Sequence, residues 1–258
     1  MSALSIVARG LVRDLDLVKP DVVVVSGDFT QRGTSLQYRQ AREFLKRIHF
    51  PIIAVPGNHD VSLFNLYRRF LLPLERYKKF ISEDLAPFYL DDEVVVLGIN
   101  TARSLTWKNG RISREQMELI RSRFCPLPRD RFKVLVTHHP FLAPPGGYGS
   151  VVGRAEMMFE RVNGCSPDLA LAGHFHMSYS GETRAVYTAH EGSSLVVQAG
   201  TAISRRVRGE RNAYNHLRVG GGEVVLTVRM WDGSRFAPTA PELFRREGGV
   251  WRAVRVRG

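Results

Sequence analysis

Short apolar runs alternate with amphipathic stretches along most of the chain. Residues 22–25, 52–55, 94–97, 134–136 and 169–172 are continuous runs of Val, Ile, Leu and Ala, the pattern of strands covered on both faces. Between them the period changes to that of a helix. Residues 35–48 place Ala41, Phe44, Leu45 and Ile48 on one face, and residues 63–81 carry a stripe of Leu63, Tyr67, Phe70, Leu74, Tyr77 and Ile81 that breaks near Pro73. Ser113, with Gln116 three residues on, reads as a capping box that opens a helix burying Met117, Ile120 and Phe124. Residues 1–19 predict another helix, with Leu4, Val7, Ala8, Leu11, Leu15 and Val18 along one side. Strand and helix in alternation define an α/β protein.

The carboxyl-terminal part changes character. Residues 195–198, 216–219, 224–230 and 250–256 read as strands separated by glycine-rich turns such as Gly220-Gly221-Gly222. They predict a second, largely antiparallel sheet packed on the first. No repeat, low-complexity tract or linker divides the chain, so residues 1–258 are read as one domain.

Composition adds limits rather than a function. No run approaches the ~20 apolar residues of a membrane-spanning helix, and Arg9, Arg13, Asp14 and Asp16 interrupt the start too often for a signal peptide. Cys125 and Cys165 have no metal-type spacing, so two reduced thiols in a cytoplasmic protein are expected. The net charge of +12 is carried mostly by arginine, densest after residue 200, and attracts anions of any kind. Nucleic acid is the weaker partner expectation, because no binding module accompanies the charge.

The chemistry lies at the ends of the strands. They run into Ser26-Gly27-Asp28, Pro56-Gly57-Asn58-His59-Asp60, Gly98-Ile99-Asn100-Thr101, Thr137-His138-His139-Pro140 and Gly173-His174-Phe175-His176. In an open α/β sheet the carboxyl ends of the strands form the ligand crevice. Separate segments therefore deliver Asp, Asn and His donors to one edge. Taken singly, Gly27-Asp28 also fits a plain turn and His138-His139-Pro140 a loop with a packed imidazole; the convergence carries the argument.

The order Gly-Asp, Gly-Asn-His-Asp, a histidine after a strand, then Gly-His-x-His resembles the calcineurin-like metallophosphoesterases over nearly the whole chain. It is most similar to the bacterial branch of cyclic-nucleotide and glycerophosphodiester phosphodiesterases, with Asn100-Thr101 and Gln198-Ala199-Gly200-Thr201 as further points of likeness. The resemblance implies a four-layer αββα sandwich, with two mixed β-sheets packed face to face and flanked by helices. It implies a metal-dependent hydrolase acting on a small phosphodiester through a hydroxide held between two cations. Asp28 would bridge the two ions, Asn58, His138 and His174 would complete one site, and His176 would bind the other. His59 would protonate the leaving group, Asp60 would orient His59 or cap the following helix, and His139 would lie behind the ligands or merely pack. The mixed N/O donors suit Mn, Fe or Zn. Arg205, Arg206 and Arg208 either steer an anionic substrate or form a solvated cluster.

One family motif is missing. An Asp-x-His after a first strand is expected before Val22, where residues 1–19 instead match the helix that follows that strand. The expectation is a chain that starts one strand and one loop late, with one metal site left only Asp28 and His176. A non-catalytic metal- or phosphate-binding scaffold is the alternative from another class; a phosphomonoesterase or nuclease is the alternative within the same fold.

Overall fold

The computed structural model describes residues 3–62, 66–105, 108–145, 149–187, 192–204 and 210–254. In chain order the first half comprises α1 (Ala3–Val18), β1 (Val23–Val25), α2 (Ser35–Leu45), β2 (Ile52–Ala54), α3 (Leu66–Leu71), α4 (Glu75–Phe80), β3 (Phe88–Leu90), β4 (Val94–Gly98), α5 (Arg114–Phe124) and β5 (Phe132–Val136). There follow α6 (Ala155–Arg161), β6 (Leu169–Ala172), β7 (Tyr179–Glu182), β8 (Leu195–Gln198), β9 (Ala213–Gly220), β10 (Glu223–Trp231), β11 (Phe236–Pro238), β12 (Glu242–Glu247) and β13 (Val250–Val254).

These form four layers. A six-stranded mixed sheet, in the order β3-β4-β5-β6-β8-β7, has parallel inner strands and antiparallel edges. One face packs on α5 and α6, where Val95, Leu97, Leu135, Ala170 and Val196 meet Met117, Ile120, Phe124, Met158 and Phe159. The other face, through Val96, Val134, Val136, Leu169, Leu195 and Val197, meets the second sheet layer. Helices α1 and α2 cover that layer from outside.

The second layer departs from expectation in two ways. It is split into a two-stranded parallel piece, β1-β2, and an antiparallel piece formed by β9 to β13. Residues 195–198, expected here, instead run parallel to β6 in the large sheet, where all four are buried. Among the described residues β1 pairs only with β2, and β9 only with β10. Both strands line one open cleft of about 2270 Å³, so residues 22–25 are half-buried rather than covered on both faces.

The amphipathic start forms α1 as its periodicity predicts. Gly10 lets it approach the sheet, since a β-carbon there would lie 2.3 Å from the Trp231 ring. Buried Asp14 is no metal ligand. Its carboxylate accepts from Tyr214 Oη at 2.5 Å and from Arg229 Nε and Nη2 at 2.6 and 2.7 Å, anchoring α1 to β9 and β10.

The stripe across residues 63–81 becomes α3 and α4, interrupted around Pro73, with Leu63 outside the described residues. The capping box at Ser113 and Gln116 is present. The expectation of two free thiols is corrected: Cys125 and Cys165 are joined as a disulfide, with Cα atoms 5.0 Å apart. Cys125 caps α5 and Cys165 follows α6, so packing of these helices creates a proximity that a separation of 40 residues hides. Among the described residues no helix is long and apolar enough to cross a membrane.

Candidate metal centre

Two pieces of sheet converge at their carboxyl ends. β5 and β6 are adjacent and parallel, so His138 and His174, each two residues past its strand, emerge side by side; the Gly173 amide donates to the His138 carbonyl at 3.1 Å. From the second layer, parallel β1 and β2 deliver Asp28 and Asn58 to the same place. The turns are tight. Gly27 has φ 96°, and a β-carbon there would sit 2.6 Å from His138 Nδ1, while one on Gly57 would sit 2.1 Å from Asp28 Oδ1. Asp28, His174 and His176 themselves adopt positive φ, of 58°, 75° and 58°. That backbone is unfavourable for residues with a β-carbon and is typical of sites where geometry serves chemistry.

The donor atoms face one another. His138 Nε2 lies 3.0 Å from Asn58 Oδ1, 3.2 Å from His174 Nδ1 and 3.5 Å from Asp28 Oδ1. His174 Nδ1 is 3.1 Å from Asn58 Oδ1. The proton of His138 is fixed on the other nitrogen, because Nδ1 donates to the Ser26 carbonyl at 2.7 Å. A neutral His138 therefore turns a bare lone pair toward an amide oxygen, a second imidazole and a carboxylate. With its own proton on Nε2, His174 adds a second lone pair at Nδ1, and this mixed N/O donor set fits a borderline metal ion. The His174 imidazole is pushed down to about 3, first by burial and then by the neighbouring His138, with Asp28 opposing. It is neutral at physiological pH, the form that ligates.

His139 joins this group. It is buried, its ligand atoms lie with those of His138 and His174 within 4.8 Å of one another, and its Nδ1 is 2.8 Å from Thr101 Oγ1. Burial, then the two neighbouring imidazoles, push its pKa well below the ordinary value. The two other predicted site histidines, His59 and His176, stand around this cluster. His176 Nδ1 meets Thr201 Oγ1 at 2.9 Å. The His59 amide donates to Asp28 Oδ1 at 3.1 Å, and its ring Nδ1 donates to the Gln31 carbonyl at 3.1 Å. Both rings line the cleft and act electrostatically on His174.

Asp60 neither orients the His59 ring nor caps a helix, contrary to both expectations. Its buried carboxylate accepts from the amides of Gly57, Phe29 and Thr30 at 2.9, 3.2 and 3.0 Å, and from Thr30 Oγ1 at 3.2 Å. It therefore clamps the turn carrying Asp28 to the turn carrying Asn58. Burial and then the nearby Asp28 charge raise its pKa to about 7. The supporting Ser26 carbonyl, Thr101 and Thr201 were not singled out as partners from sequence, although the latter two lie in segments already noted for family likeness. Arg205, Arg206 and Arg208 lie outside the described residues.

An α/β sandwich with Asp, Asn and His donors converging at its strand ends defines a metallophosphoesterase-type site. The calcineurin-like phosphoesterase family pattern matches residues 7–178, and the chain belongs to that family. Over 124 residues it is 31% identical to a probable glycerophosphodiester phosphodiesterase of Arcobacter nitrofigilis, covering 47% of this chain and 42% of the relative. Over 137 residues it is 26% identical to a 3',5'-cyclic adenosine monophosphate phosphodiesterase of Escherichia coli K12, covering 50% and 46%. The chain thus spans less than half the length of these curated relatives. Among solved structures, a dimetal phosphatase from Danio rerio superposes with a TM-score of 0.63 at 13% identity, over 91% of this chain and 88% of the other, which supports the fold alone.

Proposed function

We propose that this protein is a metal-dependent phosphodiesterase acting on a small phosphodiester. The observation that carries the reading is the convergence of His138 Nε2, His174 Nδ1, Asn58 Oδ1 and Asp28 Oδ1 within about one metal coordination sphere. Asp28, Asn58, His138 and His174 would hold one ion, and Asp28 with His176 would contribute to a second. When bound, such ions supply electrophilic stabilisation of phosphate oxygens and activation of water near neutral pH.

The protein's own groups have distinct tasks. The Ser26 carbonyl fixes the His138 tautomer, and Asp60 fixes the relative placement of Asp28 and Asn58. His59, with Nδ1 committed to the Gln31 carbonyl, carries a proton on Nε2 only as imidazolium. In that form it donates this proton to the departing alkoxide. The likeness to a probable glycerophosphodiester phosphodiesterase and to a 3',5'-cyclic adenosine monophosphate phosphodiesterase supports reading a diester, rather than a monoester, as the substrate of this chain. The test compares bis(p-nitrophenyl) phosphate with p-nitrophenyl phosphate, each with Mn²⁺ added. Higher kcat/KM for the diester supports the proposal, and the reverse order assigns a phosphomonoesterase instead.

A further inference from the structure

Besides the three site residues, two non-glycine residues of the described chain have positive φ, Lys19 and Arg154. Arg154, at φ 67° and ψ 27°, directly precedes α6 and makes no side-chain cap. A left-handed conformation in a residue with a β-carbon costs on the order of 1 kcal/mol and persists where the surroundings demand it. Two other arginines lie on segments packed against this turn. The Arg111 amide donates to the Thr101 carbonyl at 3.1 Å, and Arg111 pairs in parallel with Gly153, the Ile112 amide donating to the Gly153 carbonyl at 3.1 Å and the Gly153 amide to the Gly110 carbonyl at 2.8 Å. This brings the segment bearing Arg111 against the one bearing Arg154. Arg103, two residues past Thr101, is held by Gln116 Oε1 at 2.7 Å, and Gln116 in turn donates to the Asn100 carbonyl at 2.6 Å.

The charges reinforce one another. Burial and then Arg111 and Arg154 lower the pKa of Arg103, with Glu115 the opposing carboxylate. The cluster also adjoins the metal centre. Thr101 bonds His139, and Gly110 packs so closely on the His139 ring that a β-carbon would lie 2.2 Å from Nδ1. Arg103 is among the charges that act on that ring.

We propose that Arg103, Arg111 and Arg154 form an anion subsite beside the metal centre that takes a second, non-reacting phosphate of the substrate. Guanidinium groups bind phosphate through paired, charge-assisted hydrogen bonds, and three of them suit a terminal phosphate dianion. This inference rests on the phosphodiesterase reading and narrows it: the substrate is a diester that also carries a phosphate monoester.

Two measurements on the full chain keep the two ideas apart. The first is calorimetric titration of the EDTA-treated protein with inorganic phosphate, comparing the parent, Arg111→Gln/Arg154→Gln and Arg154→Gly. Both variants are expected to bind at least about tenfold more weakly. Arg154→Gly is also expected to melt no lower than the parent, because glycine relieves the positive φ, which a purely structural arginine would not permit. The second measurement, with Mn²⁺ added, takes the ratio of kcat/KM for an aryl phosphodiester bearing a terminal phosphate to that for one without. The double variant should lower this ratio at least about tenfold. Equal phosphate affinities in parent and variants, no phosphate binding by the parent, or an unchanged ratio each overturn the subsite. Phosphate binding that the variants lose, in a parent that hydrolyses neither diester, overturns the phosphodiesterase reading and leaves the anion site standing.

Discussion

Replacing Asp60 by alanine tests whether two turns must be clamped to build the metal centre. The carboxylate satisfies three backbone amides, those of Gly57, Phe29 and Thr30, and one hydroxyl, from buried or part-buried positions. A buried donor left without a partner costs about 1–3 kcal/mol, and water entering the vacated space favours the lower end, so the gross loss is about 3–6 kcal/mol. Some of this is offset, because a carboxylate whose pKa is raised to about 7 by burial and Asp28 is itself poorly placed when ionised. A net loss of about 2–4 kcal/mol corresponds to a drop in Tm on the order of 10 °C for a chain of this size. Mn²⁺ affinity should fall at least about tenfold, since Asp28 and Asn58 lose their shared anchor. Thermal melts and metal titrations of Asp60→Ala and Asp60→Asn read both effects, with Asn intermediate because its amide oxygen retains some of the bonds. A Tm within about 1 °C of the parent and an unchanged metal affinity for Asp60→Ala would refute the clamp.

Other perturbations address separate links. Gly57→Ala places a β-carbon 2.1 Å from Asp28 Oδ1, so the Asp28 turn must shift by about 1 Å; an activity loss of about 10²-fold is expected, and wild-type turnover would contradict the packing. His59→Ala should lower turnover by roughly 10²–10⁴-fold on a diester with a poor leaving group while leaving metal content near the parent level; unchanged kcat would remove His59 from the proton-donor role. Asp14→Ala strands Arg229 and Tyr214 beneath α1, and a loss of about 3 kcal/mol by chemical denaturation is expected; no change in midpoint would show that α1 is held by apolar contacts alone.

The strands and helices that carry the site were legible because local pattern and tertiary burial agree. Residues 94–97, 134–136 and 169–172 are apolar throughout and form inner strands, and Ser113 with Gln116 forms the box it spells. That Asp28, Asn58, His138 and His174 meet was legible because strand ends and glycines converge on one edge. What failed depends on partners distant in sequence. Residues 195–198 belong to the large sheet because β6 lies beside them, which their own composition does not state. β3, β7, β11 and β12 are short or polar strands, such as Tyr179–Glu182, defined by the neighbour they pair with. The role of Asp60 depends on Phe29 and Thr30, some 30 residues earlier, and the Cys125–Cys165 link depends on the packing of two helices.

Asp28, Asn58, His138 and His174 are expected to bind a metal ion together. The direct measurement is calorimetric titration of EDTA-stripped protein with Mn²⁺, repeated with Zn²⁺, for the parent and for Asn58→Ala and His174→Ala. With one well-furnished site, the parent should take up about one tightly held ion, and each variant should weaken that binding by about 10²-fold or more while keeping the parent's circular dichroism spectrum. A parent that binds neither ion, or a His174→Ala variant that binds as tightly as the parent, would show that these residues do not form a metal site.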